Sequence, residues 1–387
     1  MQSLRSTFLV SVIVISAFAS SHAFAVVGYL PEWRYEGANY DVFAKYLSHL
    51  LLFSLEPNSD GSLSGLDRFP GQDILHDARE ATRKSGAKLM VCFGGNGRSS
   101  GFSSVVRSSK KRTRFVVALA EFVSAHDLDG VDFNWEYPGY VMGQGYQSET
   151  EVQKDYKGLA LLAKETRSAL GPNASLTLAY YPDTRQEESL HRHGLAAHID
   201  LFHSMAYDAS SSRNAAASVD DPEGLNGHSS LELARKTIAQ YSASGLPLSK
   251  LTLGVPFYGR HSGTGDWTTF EDLVQQHAPL HPRLNSVAAP AGGSVGVIHF
   301  NGAELIARKV SMAAAAGAGG VMIWESGQDC REVSVERRGK THKRTCPGEE
   351  GDGGSLHGAC DSGMRVNGVD FSNSLNNRSR TGKRIEL

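Results

Sequence analysis

Cysteine and tryptophan are both scarce in this chain, with four of each in 387 residues. No His/Cys cluster has the spacing of a metal-ligand set, so no metal and no other cofactor is expected. A surplus of one charge is lacking too. Lys and Arg number 39 against 41 Asp and Glu, and the net charge of -2 offers no electrostatic case for nucleic acid or an anionic membrane surface. There is no internal repeat. Glycine, by contrast, is abundant at 41 residues, which points to many turns between regular elements. With 40% hydrophobic and 21% charged residues, the chain has the composition of a globular protein able to bury one large core or two ordinary ones.

The segment 1–25 stands outside the fold. Arg5 forms a basic start, Phe8 to Ala19 is apolar, and Ala23 and Ala25 surround a cleavage point. This is the pattern of a secretory signal peptide, with the mature chain starting near Val26. The apolar run is shorter than the ~20 residues of a spanning helix, so no membrane association is expected after cleavage. Secretion permits disulfides. Cys92 lies in an apolar run and reads as a buried thiol, whereas Cys330, Cys346 and Cys360 cluster late. Cys330–Cys346 is the expected pair, closing a charged loop, because Cys360 falls in a helical segment; the odd number leaves the pairing open. Asn173 and Asn377 are glycosylation acceptors for an exported chain.

Short apolar runs recur with helical patterns between them. Strands are expected at Val26–Leu30, His49–Leu55, Lys88–Phe93, Gly130–Trp135, Ser175–Tyr181, Ile199–Tyr207, Lys250–Tyr258 and Gly319–Trp324. Several are apolar nearly throughout, as strands covered on both faces must be. Helix-period stretches such as "TRFVVALAEFVSAHD" and "SLELARKTIAQYSASG" separate them. Eight alternations predict an α/β fold, a (β/α)8 TIM barrel with one catalytic domain over 26–365, against an open doubly wound sheet. From Arg331 the composition becomes charged and glycine-rich, which reads as a surface loop before a last barrel helix; 366–387 reads as a disordered tail.

The chemistry concentrates in "LDGVDFNWEYPG", Leu128 to Gly139. Side chains alternate along a barrel strand, so Asp132, Asn134 and Glu136 all point inward, with Glu136 last, at the C-terminal mouth. Phe133 and Trp135 then face the helices, which argues against a solvated acidic stretch. Carboxylates crowded inside a barrel raise the pKa of the outermost acid, as a general acid near neutrality requires.

These residues resemble the DxxDxDxE signature of glycoside hydrolase family 18, the chitinases and their relatives. Asp129, Asp132 and Glu136 are in place, and Asn134 stands at the third aspartate. "CFGG" (Cys92–Gly95) is similar to the third-strand SxGG, "MAYD" (Met205–Asp208) to MxYD, "GVPFYGR" (Gly254–Arg260) to GxPxYGR, and "GGVMIWESGQD" to the tryptophan segment of the eighth strand. "VGYLPEW" matches the family's opening strand. The resemblance implies retaining hydrolysis assisted by the substrate. Glu136 protonates the glycosidic oxygen while the sugar's own 2-acetamido oxygen attacks the anomeric carbon. The residue at 134 orients the acetamide, Tyr207 donates to its carbonyl, Trp324 forms the apolar floor, and Asp132 is counted with Glu136, Asn134 and Tyr207 among the catalytic residues. The resemblance further implies that Met205, Asp208, Tyr258, Arg260, Tyr29 and Gly95 lie along the sugar-binding cleft, with Asp129 and Gly94 structural. Asp208 and Arg260 either bind sugar hydroxyls or brace each other. Trp33 is either an outer platform or a core residue, and Glu56 either reaches the cleft or sits in an exposed loop.

Asparagine keeps an acceptor for the acetamido N–H but loses the charge, and charged hydrogen bonds are about twice as strong. The loss slows turnover by about 10²–10³ and, by removing a negative neighbour, lowers the pKa of Glu136. Two readings follow: a hydrolase of β-1,4-linked N-acetylglucosamine polymers, impaired or retuned, and a chitin- or glycan-binding lectin-like protein. The retained Glu136 favours the hydrolase, with an endo-β-N-acetylglucosaminidase as a further alternative. Only about 60 residues separate Arg260 from Trp324, so a small insertion, an open cleft and endo-type cutting are expected, in a protein expected to be monomeric.

Overall fold

The computed structural model describes residues 23–365 apart from 210–222, 278–279, 290–295, 331–334, 338–339 and 343–354. Eight parallel strands form its centre: β1 (Ala25–Pro31), β2 (His49–Pro57), β3 (Lys88–Gly94), β4 (Gly130–Asn134), β5 (Ser175–Tyr180), β6 (Leu201–Ser204), β7 (Leu251–Pro256) and β8 (Gly320–Trp324). They are ordered β1-β8-β7-β6-β5-β4-β3-β2, and β1 also pairs with β2, which closes the ring. A helix follows each strand: α1 (Tyr40–Tyr46), α2 (Gln72–Ser85), α3 (Ser109–Ala125), α4 (Glu149–Leu170), α5 (Thr184–Arg192), α6 (Leu231–Ala243), α7 (Ala303–Ala315) and α8 (Leu356–Arg365). This is the (β/α)8 barrel that the alternation predicts.

The strands are apolar on both faces because each face meets a different core. Val131, Phe133 and Trp135 join the larger cluster between strands and helices, each burial contributing roughly 1.5–3 kcal/mol. The alternate positions Val27, Tyr29, Leu51, Phe53, Met90 and Cys92 form a second cluster inside the barrel. Helix ends obey local chemistry. In α2, Asp73 lies in the first turn and Arg83 and Lys84 in the last, complementing the helix dipole, and Gly86 takes the left-handed C-cap at φ 79°. In α4 the Ser148 side chain accepts the Glu151 N–H. Asp129 stitches three strands together: its N–H donates to the Leu89 carbonyl, its Oδ2 accepts the Leu89 N–H, and its carbonyl accepts the Ser175 N–H.

Three expectations are refined. β1 begins at Ala25, which is buried and whose N–H donates to the Gly319 carbonyl, so the fold starts one residue before Val26. Tyr258 does not end β7. It begins the strand Tyr258–His261 of a four-stranded antiparallel sheet with Trp267–Thr269, Val297–His299 and Ser286–Ala288, inserted between β7 and α7. This sheet and the helix Phe270–Gln276 make up the small insertion. Cys92 and Cys360 are buried free thiols, whereas Cys330 is disulfide-bonded. Its expected partner Cys346 lies outside the described residues, as do Asn377, residues 1–22 and the tail 366–387; Asn173 is exposed in the turn between α4 and β5.

Candidate active site

β4 delivers its polar residues to the barrel interior in order of depth. Asp132, fully buried, lies opposite Cys92 of β3 and Thr177 of β5. Its Oδ2 accepts the Tyr29 hydroxyl at 2.7 Å and its Oδ1 accepts the Thr177 hydroxyl at 2.7 Å. Burial, with the Asp132 charge second, holds the Tyr29 hydroxyl and the Cys92 thiol well above their ordinary pKa values, so both stay protonated beside the carboxylate. His203 of β6 lies with Nε2 3.7 Å from Asp132 Oδ1 and Nδ1 2.6 Å from Thr252 Oγ1. Burial pushes it down to about 4 against the pull of Asp132, which leaves a neutral imidazole.

One step toward the mouth, Asn134 is 3% exposed. Its backbone carbonyl accepts the Gly95 N–H at 2.6 Å, and a Cβ on Gly94 would sit 2.1 Å from that oxygen. Gly94 also has φ 108°, so glycine is required there for two separate reasons. The Asn134 Oδ1 is buried with no hydrogen-bond partner among the described residues. An unpaired buried acceptor is expensive unless something comes to meet it.

Glu136 lies just past the end of β4, where its N–H donates to Ser99 Oγ at 3.2 Å. Burial, and then the Asp208 carboxylate, push its carboxyl up to about 7. Asp208 itself is held well below the usual carboxylate range. Burial acts to raise it, but the hydrogen bonds and charges of His228 and Arg260 outweigh that. Its Oδ1 accepts the Tyr258 hydroxyl and Arg260 Nε, each at 2.8 Å, and its φ of 58° is left-handed. Asp208 is thus a fixed anion and Glu136 a proton-bearing acid in one pocket.

The two open onto a cavity of about 300 Å³ that Asn134, Met205, Tyr207 and Trp324 also line. The described partner of the Tyr207 hydroxyl is the weak acceptor Met322 Sδ at 3.9 Å. Trp324 meets Phe53 edge-on at 4.8 Å and Tyr29 at 5.5 Å, which fixes an apolar floor. Among the described residues no group of three His, Cys, Asp or Glu side chains could hold a metal ion.

Four residues expected along the cleft do not line this cavity. Tyr29 points at Asp132, Tyr258 and Arg260 grip Asp208, and Gly95 makes room for the Phe53 ring, which a Cβ would meet at 2.3 Å. Arg260 and Asp208 therefore brace each other. Trp33 is exposed and lines the cavity, so the core alternative falls, while Glu56 pairs with Arg68 and lies outside it. Phe53, Asn96, Arg98, Tyr137 and Tyr181 are cavity residues that motif reading misses. Thr177 and His203 carried a signal in principle, as polar residues within otherwise apolar strands.

A sequence profile described as glycosyl hydrolases family 18 matches residues 25–329. The chain is 28% identical over 222 residues to an endochitinase of Manduca sexta, covering 53% of this chain and 36% of that one. It is 27% identical over 263 residues to a chitinase-like effector of Moniliophthora roreri, covering 65% and 62%. The chain thus spans less than two thirds of the length of either relative. Among solved structures, a GH18 chitinase of Flavobacterium johnsoniae superposes with a TM-score of 0.62 at 25% identity, covering 89% of this chain and 96% of the other.

Proposed function

The chain belongs to the glycosyl hydrolases family 18, and from that premise we propose that it is a secreted chitinase-like hydrolase of β-1,4-N-acetylglucosamine linkages, slowed by Asn134. One observation carries the reading. A carboxylic acid that keeps its proton to about pH 7, Glu136, shares a cavity with Asn134, whose buried Oδ1 has no partner among the described residues, and with Tyr207, whose hydroxyl is a donor. An acetamido group presents the complementary pair, an N–H and a carbonyl.

In the proposed sequence Glu136 passes its proton to the glycosidic oxygen as the bond to the anomeric carbon breaks. The substrate's acetamido oxygen closes on that carbon from the opposite face, held there by Asn134 at its N–H and Tyr207 at its carbonyl. Glu136, now ionised, takes a proton from the water that opens the resulting oxazolinium ring, which returns the site to its starting state with retained configuration. Asp208, clamped by Tyr258 and Arg260, keeps negative charge near Glu136 and so keeps it protonated between turnovers. The small insertion after β7 leaves the cleft open, which suits endo-type cutting.

Export is part of the proposal, with the signal peptide removed ahead of Phe24 so that Ala25 stays in β1, and with Asn173 and Asn377 as acceptors and Cys330 paired to Cys346. A second reading, a glycan-binding protein without turnover, is favoured by the neutral amide at 134. A fluorogenic chitooligosaccharide assay beside Glu136→Gln separates the two. Hydrolysis requires product from the parent and at least a 10²-fold loss in the variant; equal release by both proteins refutes it. Product analysis on chitin and on N-glycans separates chitinase from endo-β-N-acetylglucosaminidase action.

A further inference from the structure

A fully buried lysine, Lys309, sits near the middle of α7. Among the described residues no carboxylate pairs with it, and burial presses its amine down to about 7. Taking a cation out of water without an acid beside it is costly. Three oxygens meet it instead. Nζ donates to Asn301 Oδ1 at 2.6 Å, to the Ser229 carbonyl at 2.7 Å and to Ser229 Oγ at 2.8 Å. Each of these acts as an acceptor. The Ser229 hydroxyl gives its own proton to the Ala206 carbonyl at 2.7 Å, and Asn301 Nδ2 donates to the Ser229 carbonyl at 2.9 Å, which turns Oδ1 toward the lysine. Three acceptors call for three N–H groups, the complement of an ammonium and not of a neutral amine.

Hydrogen bonds lead from this cation to the cavity. Ala206, held by Ser229, lies between Met205 and Tyr207, both of which line it. His228, the neighbour of Ser229, holds the residue that follows. Its Nδ1 accepts the Asp208 N–H at 3.3 Å, which leaves Nε2 to donate to the Tyr258 carbonyl at 3.3 Å. Its own carbonyl accepts the Ala209 N–H at 3.0 Å. Burial holds the imidazole below its usual range against the pull of Asp208, and the Lys309 charge acts in the same direction as burial, so the ring stays neutral and Nδ1 stays an acceptor. Asp208 has a left-handed φ of 58°, which a non-glycine residue keeps only under constraint from its surroundings. None of Lys309, Asn301, Ser229 and His228 lines the cavity itself.

We propose that Lys309 is a positioning residue for the reaction: through Ser229 and His228 it sets where the Met205–Asp208 segment presents the Tyr207 hydroxyl and the Asp208 carboxylate. The inference rests on the reading given under Proposed function. It adds that a side chain on α7, which never meets the substrate, governs the rate through the placement of Tyr207.

The test compares kcat and KM on a fluorogenic chitooligosaccharide at pH 6, where the ammonium form of Lys309 prevails. The proteins are the parent, Lys309→Met, Ser229→Ala, Tyr207→Phe and the double variant of Lys309→Met with Tyr207→Phe. Methionine is unbranched and of similar length, so it fills the space while removing all three donors. Lys309→Met is expected to lower kcat about 10- to 100-fold, the scale of a small misplacement of a reacting group, with KM changed less than about 3-fold, and Ser229→Ala to lower kcat in the same way. In the Tyr207→Phe protein, which has no hydroxyl left to place, Lys309→Met should cost less than about 3-fold. A folded Lys309→Met protein with unchanged kcat overturns the proposal. A loss of equal size with and without the Tyr207 hydroxyl does so too, since that is the mark of a merely structural role. Should thermal unfolding show that Lys309→Met does not fold, Ser229→Ala and its combination with Tyr207→Phe decide by the same criteria. A parent that releases no product overturns the hydrolase reading itself, a result distinct from parent activity that Lys309→Met leaves intact.

Discussion

On the proposed mechanism, replacing Asn134 by aspartate should speed turnover at the step in which the acetamide becomes charged. Asn134 lines the cavity, and its buried Oδ1 has no partner among the described residues; on the proposed mechanism this amide accepts the acetamido N–H of the sugar. As the acetamide becomes an oxazolinium its N–H turns strongly acidic, and an ionised acceptor gains far more from that change than a neutral one. Supplying one preorganised electrostatic group at a developing charge is worth about 2.7–4 kcal/mol, or about 10²–10³ in turnover. Arg98 lines the same cavity but is already paired with Glu32. The new carboxylate lies on the same strand face as Asp132, whose oxygens are already met by Tyr29 and Thr177. Asn134→Asp is therefore expected to be less stable than the parent, and the least so at acid pH where the added carboxyl is protonated. The gain should appear in kcat on a fluorogenic chitooligosaccharide, with KM changed much less, because the charge matters most after the ground state. Unchanged kcat in a folded Asn134→Asp protein would show that the amide is not what limits the rate, and the role given to this position would be wrong.

Two further outcomes follow from the titrating groups. Because Glu136 titrates at about 7 and must be protonated to act, kcat/KM should fall as pH rises through about 7; Asp208→Asn removes the second cause of that elevation and should move this limb to lower pH, though not down to the 4.5 of a free glutamate, since burial remains. A limb that stays in place would mean another group sets it. Glu187, buried on α5 with Tyr180 and Gln240 as its hydrogen-bond partners, is raised from 4.5 to about 7, chiefly by burial. A carboxyl raised in the folded state stabilises fully below its unfolded pKa and loses that contribution as pH climbs through its folded one, here between about 4.5 and 7 and by up to about 3 kcal/mol. Glu187→Gln should therefore gain on the parent in urea midpoint from pH 4 to pH 8, and parallel decline of the two proteins across that window would refute the assignment.

The barrel was legible because each of its strands is covered on both faces. Runs such as "HLLLFSL" and "KLMVCF" are apolar at consecutive positions, and the observed strands His49–Pro57 and Lys88–Gly94 extend them only slightly. What escaped was the small sheet after β7. Its strands are three or four residues long and mix polar with apolar side chains, as in "YGRH" and "WTT", so no period develops. The apolar run continues through Tyr258 and so predicts a longer β7, but the chain turns at Phe257 and Tyr258 starts the inserted sheet.

The active site divides along the same line between what lies on one strand and what several strands assemble. The order Asp132, Asn134, Glu136 follows from alternation alone, and Phe133 and Trp135 occupy the outer core as that alternation demands. The environment of each group does not follow from it, because it comes from residues distant in sequence: Thr177 and His203 at Asp132, Asp208 at Glu136, and Tyr258 and Arg260 at Asp208. This alters the meaning of Asn134. Read from the motif, the missing charge weakens both the orientation of the acetamide and the hold of Glu136 on its proton. In the folded protein the second loss is covered, since burial and the clamped Asp208 already bring Glu136 to about 7. The first has no substitute on the proposed mechanism, because the residue β4 offers to the acetamido N–H there is a neutral amide. On the proposed mechanism the two effects of one substitution thus separate, with the pH profile set by Asp208 and burial, and the rate set by position 134.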